Sequence, residues 1–221
     1  MRLANRLLPL LAVIAAVMFA RAPFMIYDTP VESTMGVIQK IFYFHVPSAS
    51  AAFLGAFTCG IASLLYLWKR NRLADHFAVS GAELAVVFGI IMLTTGPLWA
   101  RKAWGIWWQW DVRLTTALVM WMVFVSYLLL RRFGGPGSEV LSAAVGLFGM
   151  ALVPFVYISV NYWRTIHPST NVIPTLPPEM KAPFWWSMLA FTILFAAFLL
   201  LRVRLESNKA ALEDAFLAVE D

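Results

Sequence analysis

Two histidines and one tryptophan-dense stretch carry the chemistry that this sequence offers. His45 lies in Ile41-Phe-Tyr-Phe-His45-Val-Pro-Ser-Ala49, and His167 in Ser159-Val-Asn-Tyr-Trp-Arg-Thr-Ile-His167-Pro-Ser-Thr170. Between them runs Trp99-Ala-Arg-Lys-Ala-Trp-Gly-Ile-Trp-Trp-Gln-Trp-Asp-Val-Arg113, which holds five of the ten tryptophans, one acid and three bases. Imidazoles ligate metals, and a pair of them can serve as axial ligands of haem iron. If the tryptophan stretch coils as a helix, Trp104, Trp107, Trp108 and Asp111 follow i, i+3, i+4, i+7 spacing and share a face, with Trp110 pointing elsewhere. That face is an aromatic plate edged by a carboxylate. The competing reading is an interfacial belt, since tryptophan collects where membrane meets water.

The elements that must position these residues are membrane helices. The chain has 221 residues, of which 61% are hydrophobic and only 13% charged, and its mean hydropathy is +0.75. A soluble domain carries about twice that charged fraction. Spans of about 20 apolar residues are read at about 7–27, 47–68, 77–99, 114–130, 140–163 and 184–201, with an amphipathic tail at 202–221. Residues 1–221 thus form a single polytopic domain. The first segment also has signal-peptide features, with Arg2 and Arg6 ahead of an apolar core and Ala20-Arg-Ala22 as a cleavage site. The apolar run continues past it to Tyr27, which favours a span. Pro47 suits the first turn of the second helix and leaves His45 just outside it.

Six spans place both termini on one side. That side carries ten basic residues, including Lys69, Arg70, Arg72, Arg131 and Arg132, against seven on the other. The positive-inside rule makes it cytoplasmic. The expected fold is therefore an all-α integral membrane protein of six transmembrane helices, with cytoplasmic termini and a Trp-rich external loop between the third and fourth.

The outer side then collects His45, His167, eight of the ten tryptophans, and the cations Arg101, Lys102, Arg113 and Arg164. These features each answer part of one ligand. Haem is a flat apolar plate with a central metal and two anionic propionates; imidazoles suit the iron, indoles the plate, and guanidinium groups the carboxylates. Blander roles compete for each residue. A histidine at a membrane interface is often only a surface residue. Arg113 can snorkel at a helix end, and Asp111 can cap the fourth helix. Glu83, the acid inside the third span, is read as structural because it lies near the cytoplasmic end.

Some chemistry is not supported. The single cysteine, Cys59, sits in an apolar run and reads as a packed side chain; it allows no intramolecular disulfide, C-x-x-C pair or covalent haem motif. No G-x-x-x-x-G-K-[ST] loop is present, and the basic runs are too short for a nucleic-acid face. A zinc site would need more ligands close together.

Trp104-Gly-Ile-Trp-Trp-Gln-Trp-Asp-Val-Arg-Leu-Thr-Thr116 resembles the WWD signature of the haem-handling proteins of cytochrome c biogenesis. The segments around His45 and His167 resemble those around the two external histidines of the CcmC, or haem exporter protein C, family. The small size and the flanking histidine segments separate the chain from the larger relatives CcmF and CcsA. The resemblance covers nearly the whole chain. It implies a non-enzymatic protein of the bacterial inner membrane that presents non-covalent haem b at the periplasmic face, with His45 and His167 as axial ligands. Trp104, Trp107, Trp108, Trp110, Asp111, Arg113, Arg101 and Arg164 complete the implied haem-binding set. The implied partners are the haem chaperone CcmE, the ATPase and membrane subunits CcmA and CcmB of an ABC transporter, the small peptide CcmD and the lipid bilayer, with no nucleic acid. Two other readings remain: a membrane-bound b-type cytochrome or quinone-linked redox subunit, and a small-solute permease. The first usually sets its histidines inside the spans, and none is expected there.

Overall fold

A computed structural model describes residues 2–169 and 172–220; Thr170, the last residue of the quoted His167 segment, lies outside them. Among the described residues, six helices are long and apolar enough to cross a membrane. They are α1 (Arg2–Tyr27), α2 (Phe42–Lys69), α3 (Arg72–Trp104), α4 (Val112–Phe133), α5 (Ser138–Tyr162) and α6 (Pro178–Glu220). A short 3-10 turn, Val37–Ile41, leads directly into α2.

The centre is the α2–α3 hairpin. Its two helices approach so closely that a Cβ on Gly55 would stand 2.6 Å from the Ala85 nitrogen, and one on Gly81 2.6 Å from the Cys59 nitrogen. Two glycines facing each other's backbones let van der Waals packing hold the pair, which matters where surrounding lipid removes any hydrophobic drive. The α4–α5 hairpin covers one side of this pair through α2 and α3; α6 covers the other, with α1 outermost against α6. Phe124, Tyr127, Val156 and Cys59 fill the core on the α4–α5 side. Cys59 is fully buried there, as a packed side chain should be. Phe88, Phe191 and Phe195 fill the α6 side.

Several helix limits differ from those the sequence suggests, and each difference moves a functional residue. α2 begins at Phe42 rather than Pro47. The 3-10 turn supplies carbonyl acceptors to the Phe42 N–H, so the helix starts without a cap. Pro47, sixth in the helix, leaves only the Tyr43 carbonyl without its i+4 donor. His45 is therefore inside the first turn of α2, which removes the argument that no histidine lies in a span.

α3 continues past Trp99 to Trp104 and stops where Gly105 takes φ +78°, the left-handed conformation that suits glycine. The tryptophan stretch is consequently helical through Trp104 and again only from Val112, where α4 begins. Residues 105–111 are irregular, and the single helical face of Trp104, Trp107, Trp108 and Asp111 does not form. α6 continues unbroken through Arg202 to Glu220, so the amphipathic tail is the end of the same helix. Glu83 is paired across helices and not left to reach water: Arg202 of α6 donates to both of its carboxylate oxygens and to Glu206.

Candidate functional site: a tryptophan-walled cavity between two histidines

The histidine end of the bundle encloses a cavity of about 290 Å³, lined by residues of α2, α3, α4, α5 and the loop after α5. His45 enters from the first turn of α2 and is buried. Its Nδ1 lies 2.9 Å from Thr95 Oγ1 of α3, and its ring meets the Trp99 ring edge-on at 5.8 Å. Gly96 makes room for it, since a Cβ there would stand 3.2 Å from His45 Cε1.

His167 reaches the same cavity from the loop between α5 and α6. Its backbone N–H donates to Thr165 Oγ1 at 3.0 Å, and its Nδ1 lies 2.8 Å from the Pro168 carbonyl oxygen. Burial, followed by the positive charge of Arg113, pushes the imidazole down to about 4, so it is neutral at physiological pH and can ligate a metal. Two imidazoles from opposite parts of the fold thus share one cavity.

Tryptophans form the walls. Trp99 and Trp104 stack with centroids 6.2 Å apart and planes 27° apart; Trp107 and Trp108 line the cavity from the irregular segment. The floor is apolar, with Phe53, Met92, Leu93 and Ala117. Arg113, in the first turn of α4, is buried and lines the cavity, where it donates to the Val156 carbonyl oxygen. It makes no ion pair among the described residues.

Asp111 has a different task from the one implied for it. One carboxylate oxygen accepts from the Leu114 N–H at 2.8 Å and caps α4. The other accepts from Thr165 Oγ1 at 2.6 Å and the Ile166 N–H at 3.2 Å. The buried carboxylate ties the tryptophan segment to the His167 loop and does not line the cavity. Trp110 is 76% exposed and meets Trp108 edge-on outside the cavity. Arg101 is exposed and donates to the Gly105 carbonyl oxygen, closing the end of α3; Arg164 is exposed too. None of these three lines the cavity. Of the residues singled out by sequence, His45, His167, Trp104, Trp107, Trp108 and Arg113 are brought together.

Sequence reasoning missed Thr95, Gly96, Gln39 and the wall role of Trp99. The i, i+4 spacing of Thr95 and Trp99 on α3 is a signal of a shared face, but only the packing against α2 shows that His45 occupies it. Among the described residues, three buried polar atoms at the cavity have no protein partner: Trp99 Nε1, Trp108 Nε1 and Gln39 Oε1. Buried donors are seldom left unpaired. Two indole N–H groups and a guanidinium lining one cavity suit an anionic group on a ligand whose body is apolar. Among the described residues no three His, Cys, Asp or Glu side chains come close enough to hold a bare metal ion. The donor set therefore fits a metal that brings its own in-plane ligands. A porphyrin has that form, and its carboxylates match the unpaired donors.

The family described as heme exporter protein C matches residues 1–216. Heme exporter protein C of Escherichia coli is 31% identical over 182 residues, covering 79% of this chain and 73% of the relative. That of Bradyrhizobium diazoefficiens is 32% identical over 210 residues, covering 92% and 80%; that of Rhodobacter capsulatus is 30% identical over 216, covering 93% and 88%. The matched region contains both histidines, the tryptophan segment, α1 to α5 and α6 as far as residue 216, and this chain belongs to the heme exporter protein C family, whose role is haem handling for cytochrome c biogenesis.

Proposed function

We propose that the cavity holds non-covalent haem b as cargo, with His45 and His167 as axial ligands, and presents it for transfer to the haem chaperone CcmE. The observation that carries this reading is the convergence of the two imidazoles on one Trp-walled cavity. The indole walls suit the porphyrin faces, and the apolar floor suits its buried edge. Arg113 with the Trp99 and Trp108 N–H groups suits a propionate. Trp104 at 39% and Trp107 at 56% exposure mark the side on which a porphyrin edge stays accessible to a nucleophile of the chaperone. The role is binding and handover, without catalysis by this chain.

Family membership and the six spans support work in a bacterial inner membrane beside the ABC transporter subunits CcmA and CcmB and the peptide CcmD. The ten-to-seven excess of basic residues at the other end supports a periplasmic cavity. Purification of wild type, His45→Ala and His167→Ala, with and without the chaperone, tests this. Each variant should lose most of its co-purifying haem and block cytochrome c maturation; normal haem and maturation in both would sink the ligand assignment.

One observation favours the b-type cytochrome reading: His45 sits on a membrane helix. A redox titration during quinol turnover separates the two. Haem that is retained and reduced supports a redox subunit, whereas haem that leaves for the chaperone supports handover.

A further inference from the structure

The surroundings of His45 determine which of its ring nitrogens is free. Thr95 Oγ1 lies 2.7 Å from the Ile91 carbonyl oxygen, one turn back on α3. A hydroxyl has one proton. A carbonyl can only accept, so that proton goes to Ile91, and Oγ1 faces His45 Nδ1 with a lone pair at 2.9 Å. Nδ1 must then carry the hydrogen. The second acceptor position near Thr95, the Met92 carbonyl at 3.4 Å, would consume the same proton and leads to the same assignment.

We infer that Thr95 is a positioning residue: it holds His45 as the Nδ1–H tautomer and leaves Nε2, with its lone pair, as the ligand atom. The ring cannot easily rotate out of this arrangement. Gly96 sits under Cε1 with space for no Cβ without adjustment, and Trp99 closes the other side edge-on. Thr95, Gly96 and Trp99 belong to one turn of α3, so a single helical segment sets the tautomer, the tilt and the position of the imidazole. His167 reaches the same tautomer by a different route, because the acceptor 2.8 Å from its Nδ1 is the Pro168 carbonyl. Both imidazoles therefore offer Nε2.

The two routes differ in how they can be altered. The Pro168 carbonyl is backbone and survives any side-chain change, whereas the Thr95 hydroxyl is removed by one substitution. Groups that orient a ligating histidine typically change metal affinity 10- to 100-fold when lost. The inference rests on the reading of His45 as an iron ligand for its functional part, while the tautomer itself is a property of the apoprotein.

The test uses the full-length apoprotein in lipid nanodiscs with 15N-labelled histidine, His45 being assigned by the signal absent from His45→Ala. Wild type and Thr95→Ser should show Nδ1–H at His45; Thr95→Val and the smaller Thr95→Ala should shift toward Nε2–H. Haem titration followed by the Soret band should give about tenfold weaker binding for Thr95→Val and Thr95→Ala, and near-wild-type binding for Thr95→Ser. Wild-type His45 found as Nε2–H overturns the inference whatever the variants do. So does a serine variant as weak as the valine variant, or a valine variant with unchanged tautomer and haem affinity. A shifted tautomer with haem affinity unchanged in both Thr95→Val and His45→Ala upholds the tautomer assignment and sinks the ligand reading instead.

Discussion

Where α2 passes into α3 and α4 into α5, the cations face acids. Arg131 donates to Asp75 at 2.6 Å and stands 3.8 Å from Glu139; Arg202 binds Glu83 and Glu206; Arg72 meets Asp214 at 2.6 Å. All the ion pairs of the described residues, including Lys209 with Glu213, lie at this end. At the histidine end Arg101, Lys102, Arg113, Arg164 and Lys181 form none. Two of the acids there are held by hydrogen bonds rather than by cations: Asp111 by Leu114, Thr165 and Ile166, and Glu32 by the Met35 N–H. One end uses charge to fasten helices to one another. The other leaves its cations out of ion pairs among the described residues, with one of them, Arg113, and two indole N–H groups without partners at the cavity, an arrangement that favours an anion from outside the chain.

Each of these assignments can be broken separately. The largest effect belongs to the double variant His45→Ala/His167→Ala, which should show no Soret band after haem addition and gel filtration. Arg113→Leu removes the buried cation of the cavity. With charge-assisted hydrogen bonds contributing about 1.5–3 kcal/mol, haem affinity should fall roughly 10- to 100-fold, read by the same titration at constant ionic strength.

Glu83→Gln acts at the other end. The Arg202 pair is about 70% buried on both sides, between the surface and buried regimes, so the loss should be about 1–3 kcal/mol of stability. Thermal denaturation should register it, and haem affinity should not change.

Acidification sharpens the contrast further. His167 is depressed to about 4 in the folded protein from its ordinary 6.5, so between these values the unfolded chain binds the additional proton. Its neutral burial leaves stability intact above pH 6.5 and erodes it as pH falls toward 4. The apoprotein melting temperature should drop across that window, and less so in His167→Gln. The smallest effects belong to Trp110→Phe, Arg101→Gln and Arg164→Gln, exposed and outside the cavity. Haem affinity of the isolated chain should stay within about twofold, and a larger loss would show that the bound state recruits them.

Much of this was legible in the sequence because membrane spans are read from length and apolarity alone. The six helices and the capping by Asp111 follow from such local rules. The sequence also grouped His45, His167, Trp104, Trp107, Trp108 and Arg113, which the structure brings to one cavity, although the family resemblance carried the name of the ligand expected there. What failed was the helix ends. Local signals place Pro47 at a helix start, but a preceding 3-10 turn let α2 begin at Phe42. The heptad-like spacing of Trp104 to Asp111 says nothing of Gly105, whose positive φ ends α3 before the pattern can form. Thr95, Gly96 and Gln39 were invisible for another reason. Their roles depend on which face of α3 meets α2, and that is set by the glycine contact of Gly55 and Gly81, far along the helices.

The carboxylate of Asp111 has a kinetic meaning as well. By accepting from both α4 and the segment after α5, it makes the tryptophan segment and the His167 loop one body. His45, in contrast, is fixed to a helix within the central hairpin. The two imidazoles therefore ride on parts with different clocks: loops move in nanoseconds to microseconds, and packed membrane helices more slowly. On the proposed reading, three hydrogen bonds to a single side chain outside the cavity hold the part that carries one of the two imidazoles, and a substitution at Asp111 is the place to alter cargo residence time without altering the cavity walls.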